Sequence, residues 1–161
     1  MDQQDESLQR IMETFRLYCR GAQVEARQQF AELWEEFEAD SDAYPRCLLA
    51  HFIADTQHEL DDELAWDLTA LEIAEAAIEA GTDPTVPAVE KFLPSLHMNL
   101  ADGFRKQGDF VRARFHADCG MELGGGLGLD PYGQRVRAEL IRIEAQIADS
   151  DSGPPIVFDS E

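Results

Sequence analysis

Residues 96–123 read LHMNLADGFRKQGDFVRARFHADCGMEL. Leu96, Leu100 and Phe104 recur at every fourth position, which places them on one face of a helix. Phe110, Ala113 and Ala117 repeat the pattern further on, with Leu123 at its end. Gln107-Gly108-Asp109 separates the two segments, and glycine followed by aspartate is both a helix stop and a helix start. The stretch is therefore a helical hairpin. Its small residues, Ala101, Ala113 and Ala117, mark where the two helices approach closely.

Similar segments fill the rest of the chain. Glu6 to Arg20 carries Leu8, Met12, Phe15 and Tyr18 on one face, and Gly21 ends it. Val24 to Phe37 follows with Ala26, Phe30, Leu33 and Phe37, up to the break at Asp40-Ser41-Asp42. Tyr44 to Gln57 carries Leu48, Leu49, Phe52 and Ile53, with Pro45 tolerated in its first turn. Asp61-Asp62 is placed to cap a helix that runs to about Glu79 through Leu64, Leu68, Leu71, Ala74 and Ile78. Gly81 to Pro84 is a stop. Pro87 to Gln107 is the fifth helix, restarted or kinked at Pro94. The sixth spans Asp109 to Leu123 and ends in a glycine-rich cap, and Asp130 to Ile147 is the seventh, with Val136, Leu140, Ile143 and Ile147 inward. No strand-like alternation is present.

Internal similarity is visible as well. Ile53-Ala54-Asp55 matches Leu100-Ala101-Asp102, and Gly21, Ala26 and Phe30 stand at the offsets of Gly108, Ala113 and Ala117. Three hairpins result, at about 5–38, 43–80 and 86–124, with a last helix at 130–148. The segment Asn99-Leu100-Ala101, Phe104, Gly108-Asp109-Phe110, Ala113 resembles a tetratricopeptide repeat, the helix-turn-helix unit of about 34 residues in protein-binding solenoids. The match is strongest over 94–124. The resemblance implies an all-α, right-handed α-α superhelix of three stacked hairpins closed by a C-terminal capping helix, within a single domain of residues 1–148.

In that family the first helix of each hairpin lines a concave groove. The resemblance then places Ser95, Met98, Asn99, Asp102, Arg105 and Lys106 in the groove, with Leu48, His51, Asp55, His58 and Glu59 one hairpin earlier. The expected contact set is His51, Asp55, Met98, Asn99, Asp102, Arg105 and Lys106. Asn99 would donate to a peptide carbonyl, and Arg105 would hold a carboxylate with two parallel bonds. Alanine at Asn99 and Arg105 is expected to leave folding nearly unchanged, as at free surface positions. The acids among these residues favour a mixed or basic ligand over an acidic C-terminus.

Charge narrows the partner class. The net charge is −20, and 44% of residues are apolar. Residues 1–80 carry 20 acids and 5 bases, a net −15; residues 81–161 carry 13 acids and 8 bases, a net −5. No Lys/Arg cluster is available for a phosphate backbone or an anionic bilayer, so neither nucleic acid nor membrane is an expected ligand. The expected partner is another protein or peptide, including a basic one or a second copy of this chain. The acidic N-terminal half also suits an inhibitory protein that covers a basic nuclease or DNA-binding partner. There is no apolar run of membrane-spanning length, the acidic start Met1 to Ser7 is not expected to act as a secretory signal, and Cys19, Cys47 and Cys119 are expected to be three reduced, mostly buried thiols in the cytoplasm.

Chemistry has weaker signals. His51, Asp55 and His58 share a helical face, which is the arrangement a metal-dependent enzyme could use, with Asp102 or His97 joining. His58-Glu59-Leu60-Asp61-Asp62 lacks the second histidine of a metalloprotease helix, and Gly124 to Gly128 lacks a phosphate-loop ending. No cofactor motif and no nucleophile signature is present, and the expectation is a binding protein rather than an enzyme. Trp34 and Trp66 are expected to pack between hairpins. The acidic tail 149–161, with Pro154-Pro155 and the apolar Ile156-Val157-Phe158, should not continue the last helix.

Overall fold

The computed structural model describes residues 3–37, 41–125 and 127–151. Seven helices account for nearly all of them: α1 Gln3–Cys19, α2 Gln23–Glu36, α3 Ala43–Asp55, α4 Leu60–Ala80, α5 Val86–Gln107, α6 Phe110–Gly124 and α7 Pro131–Asp151. The fold is all-α, with no strand among the described residues. None of these helices is long and apolar enough to cross a membrane.

Left-handed glycines make the turns. Gly21 and Gly108 have φ of 97° and 85°, a region other residues enter only at a cost. After each, a backbone N–H reaches back to the last helical turn: Ala22 to the Leu17 carbonyl and Asp109 to that of Phe104. Both turns thus share one C-terminal motif, and both are followed by buried small or apolar residues at equal offsets, Ala26 and Phe30, Ala113 and Ala117.

Several boundaries differ from the sequence reading. α5 runs through Pro94 without a break, because the buried proline packs in the core and only one intrahelical bond is lost. Asp61 and Asp62 lie inside the first turn of α4, where they face the positive helix end, and make no capping bond. α7 extends to Asp151, three residues into the tail expected to leave the helix, since Asp149-Ser150-Asp151 contains no glycine or proline. On α1 the fully buried residues are Ile11 and Thr14, whereas Leu8 and Phe15 pack at the edge of the core. Cys19 is exposed, Cys47 buried and Cys119 half-buried. Residues 38–40, Gly126 and the expectations for Pro154-Pro155 and Ile156-Val157-Phe158 lie outside the described residues.

Each helix packs on the next, forming the hairpins α1–α2, α3–α4 and α5–α6, with α7 against α6. The odd helices also touch in a row, α1 to α3, α3 to α5 and α5 to α7. The backbones of α2, α4 and α6 stay apart. Trp34 on α2 and Trp66 on α4 bridge that gap edge to face, with ring centroids 5.1 Å apart. The core runs the length of the molecule. Ile11, Phe30, Leu33, Leu49 and Ile53 fill one end. Ala43, Cys47, Ala50, Ala70, Ala74 and Leu96 fill a middle of mostly small side chains. Leu64, Leu100, Ala101, Phe104, Ala113, Ala117, Ile143 and Ile147 fill the other end.

Candidate functional site

Helical spacing and the α3–α4–α5 packing gather one polar cluster. His51 and Asp55 are one turn apart on α3, and Glu63 and Asp67 are one turn apart on α4. Asn99, Asp102, Arg105 and Lys106 share the facing side of α5. His51 is the hub. Its Nδ1 lies 2.9 Å from the Asn99 amide nitrogen and 3.7 Å from Asp67 Oδ1, and its Nε2 lies 3.8 Å from Asp55 Oδ2. Its ring rests between Phe52 and Phe92, both 5.4 Å away centroid to centroid. With the Asn99 amide donating, Nδ1 is the acceptor and Nε2 carries the proton toward Asp55; a charged imidazole requires Asn99 to turn its oxygen inward.

Asp67 is only 3% exposed, and its Oδ1 has no hydrogen-bond partner. At 3.7 Å the nearest imidazole nitrogen is an ion-pair neighbour, not a hydrogen-bond donor. Burial pushes the Asp67 carboxyl above the ordinary aspartate range, against the opposing pull of His51. Burial likewise raises Asp55 and Glu63, and Asp67 adds repulsion to both. Burial alone would lower His51, yet Asp67, Asp55 and Glu63 outweigh it and hold its pKa above the ordinary histidine value. These groups form one coupled set in which the acids outnumber their counter-ion.

On α5 the cations already have an anion. Arg105 places Nε and Nη2 at 3.0 and 2.8 Å from Asp102 Oδ1, and Lys106 Nζ lies 2.9 Å from Asp102 Oδ2. Burial works against the Asp102 charge, but Lys106 and Arg105 pull its pKa below the ordinary range. The Arg105 fork expected to hold a ligand carboxylate is already engaged by Asp102 within the helix, because a spacing of three residues brings the two side chains together. On α7 Glu139 pairs with Arg142, extending the charged strip across the next odd helix.

Other expected groove residues lie elsewhere. Ser95 is buried and hydrogen-bonded to the Tyr132 hydroxyl on α7. Leu48 is in the core. Met98 is half-buried against the apolar cluster of α4 to α7. His58 turns away toward α2, with Nδ1 3.4 Å from Arg27 Nη2. His97 is buried against His116, Nδ1 to Nδ1 3.0 Å. The set His51, Asp55, His58 and Asp102 therefore does not converge, and among the described residues no group of three or more His, Cys, Asp or Glu is placed to hold a metal ion. The glycine-rich stretch after α6 is held structurally: Arg137 donates to the carbonyls of Gly124, Leu127 and Gly128.

Asp67 and Glu63 were missed in the sequence reading. The signal was present. Asp67 stands between Leu64 and Leu71 at spacings of three and four, inside the apolar stripe of α4. A charged residue in such a stripe is bound for burial and needs a reason. No protein-family model, curated protein or solved structure matches this chain.

Proposed function

We propose that this chain is a protein- or peptide-binding module whose contact face is formed by α3 and α5, floored by α4 and continued by α7. The observation that carries the reading is one polar set on neighbouring odd helices, half-buried at His51, Asn99, Asp102 and Arg105 and exposed at Asp55 and Lys106. Odd helices in contact and even helices apart support the reading of a superhelical array of the tetratricopeptide type. No nucleophile stands within the described contacts of His51, which favours binding over catalysis. Solenoid grooves serve many ligands, so the partner must be read from the site and not from the fold.

The surplus of acid on this face favours a basic or mixed peptide segment. Affinity capture from the source cell at low and high salt, with partners identified by mass spectrometry, tests the proposal together with the double variant Asn99→Ala, Arg105→Ala. The variant should remain folded. It should cost about 1–2 kcal/mol, more than a free surface change, because the Asn99 amide is bonded to a half-buried imidazole. The captured partner should bind it more weakly. Unchanged affinity in a folded variant rejects this face. It would move the site to the acidic surface of residues 1–80, as an inhibitor of a basic protein would use.

A further inference from the structure

We propose that Asp55, Glu63 and Asp67 form a receptor for one basic side chain, a lysine ammonium or an arginine guanidinium, of the partner polypeptide. This rests on the α3–α5 face being the contact face, and adds what that face selects. Three observations meet here. Asp67 Oδ1 is buried with no hydrogen-bond donor, a state that carries the full desolvation penalty of the oxygen. Among the described residues no lysine or arginine lies within ion-pair distance of Asp55, Glu63 or Asp67, and Lys106 pulls on Glu63 only from farther off, whereas Asp102 beside them is matched by both Arg105 and Lys106. The cluster opens outward: Asp67 lies at its floor, His51 is 15% exposed at the side chain and Asp55 41%.

The ligand class follows from this layout. Among the described residues no group of three or more His, Cys, Asp or Glu is placed to hold a metal ion. His51 cannot balance three carboxylates, since even fully protonated it brings one positive charge. The missing partner is a cation with several N–H donors, able to reach past the Asp55 and Glu63 rim to Asp67. A lysine or arginine carries such a head on a flexible apolar stem, and Phe52 and Phe92 beside His51 offer apolar surface for that stem. Burial keeps all three carboxyls above their ordinary range, Asp67 adds repulsion at Asp55 and Glu63, and a bound cation relieves both.

A random peptide display library panned against the full chain supplies the probe. Peptides whose binding shifts the backbone amide signals of His51, Glu63 and Asn99 should share a lysine or arginine at one register position. A synthetic peptide with norleucine or citrulline there should bind the parent about tenfold more weakly. The same swap should cost the Asp67→Asn variant less than about twofold, the signature of a direct pair in a double-mutant cycle. Asp67→Asn should be at least as stable as the parent at pH 7, because the amide replaces a carboxylate whose charge the fold disfavours. If it does not fold, the rim pair Asp55→Asn, Glu63→Gln takes its place in the cycle. Peptides that bind this face with no basic residue, or a swap that costs the variant as much as the parent, overturn the inference and leave the contact face standing. Peptides that shift other residues, or no enrichment at all, remove the contact face and the inference with it.

Discussion

His97 and His116 show how one pair of side chains ties stability to pH. Their Nδ1 atoms are 3.0 Å apart in the α5–α6 interface, so a single proton fits between them. His116 stacks on Phe104 with its ring plane tilted by 8°, and Arg112 lies 5.4 Å above the same phenyl ring. Burial, then the neighbouring imidazole, lowers His97 to about 4; burial, then Arg112, lowers His116. An unfolded histidine takes its proton near pH 6.5, and the folded His97 does not. The pair's contribution is thus complete above about pH 6.5 and is lost as pH falls toward 4. At about 1.4 kcal/mol per unit, the His97 shift alone amounts to roughly 3 kcal/mol over the window. His51 has the opposite sign: its raised pKa gives stability that is present below the unfolded value and lost as pH rises. The raised Asp55, Glu63 and Asp67 carboxyls behave likewise. The test is therefore a difference. Urea titrations from pH 7 to 4 on the parent and on His97→Gln should show a markedly shallower acid loss in the variant. Parallel pH curves would place the acid sensitivity elsewhere. Neither histidine announced this role: both stand in the best-read stretch of the chain, but the periodicity that buries them does not say that they face each other.

At the scale of an element, α3 is started by a different part of the chain. Its own N-cap, Asp42, makes no side-chain capping bond. Instead Asp83 Oδ2 accepts the Ala43 N–H at 2.8 Å, and Thr85 Oγ1 accepts the Tyr44 N–H at 3.0 Å. Asp83 Oδ1 also accepts from the Thr85 N–H at 2.7 Å. Burial opposes the Asp83 charge, but bonds from Thr85 and Ala43 and the nearby Arg46 lower its pKa. The α4–α5 turn is thereby locked onto the start of α3. Asp83→Ala should cost about 1–2 kcal/mol, as loss of a helix cap does. Amide exchange should quicken at Ala43 and Tyr44 before it quickens in α6. A loss under about 0.5 kcal/mol would mean that water replaces the carboxylate at no cost. In the sequence, Gly81 to Pro84 was readable as a stop. Its second role was not, because the groups it caps lie 40 residues away. Helix existence, by contrast, was legible throughout, since a 3.6-residue apolar period is a local property.

The whole molecule carries a net charge of −20, and its described ion pairs, such as Arg10–Glu36 and Arg112–Asp109, lie mainly on the surface. Such pairs contribute little, while unscreened like charge repels across tens of ångströms at low salt. Raising NaCl from about 0.01 to about 0.15 M should therefore raise the melting temperature. A gain of about 2–4 °C would correspond to roughly 1 kcal/mol for a chain of this size. A fall would mean that specific ion pairs outweigh the general repulsion. The same screening should weaken capture of a basic partner, so stability and association move in opposite directions with salt.

By itself the sequence determined seven helices, their order, most of their inward faces and the glycine turns at Gly21 and Gly108. Each of these depends on residues within a few turns of one another. It also determined that the surface is acidic, which is a sum and needs no geometry. The tertiary structure decided which polar groups meet. It set Asp67 against His51 and Asn99, turned His58 toward α2, buried Ser95 under Tyr132, and let Asp102 neutralise the cations meant for a ligand. Contacts between helices depend on crossing geometry and on side-chain reach, to about an ångström. A pattern of apolar residues fixes which face is buried, but not which neighbour that face will find.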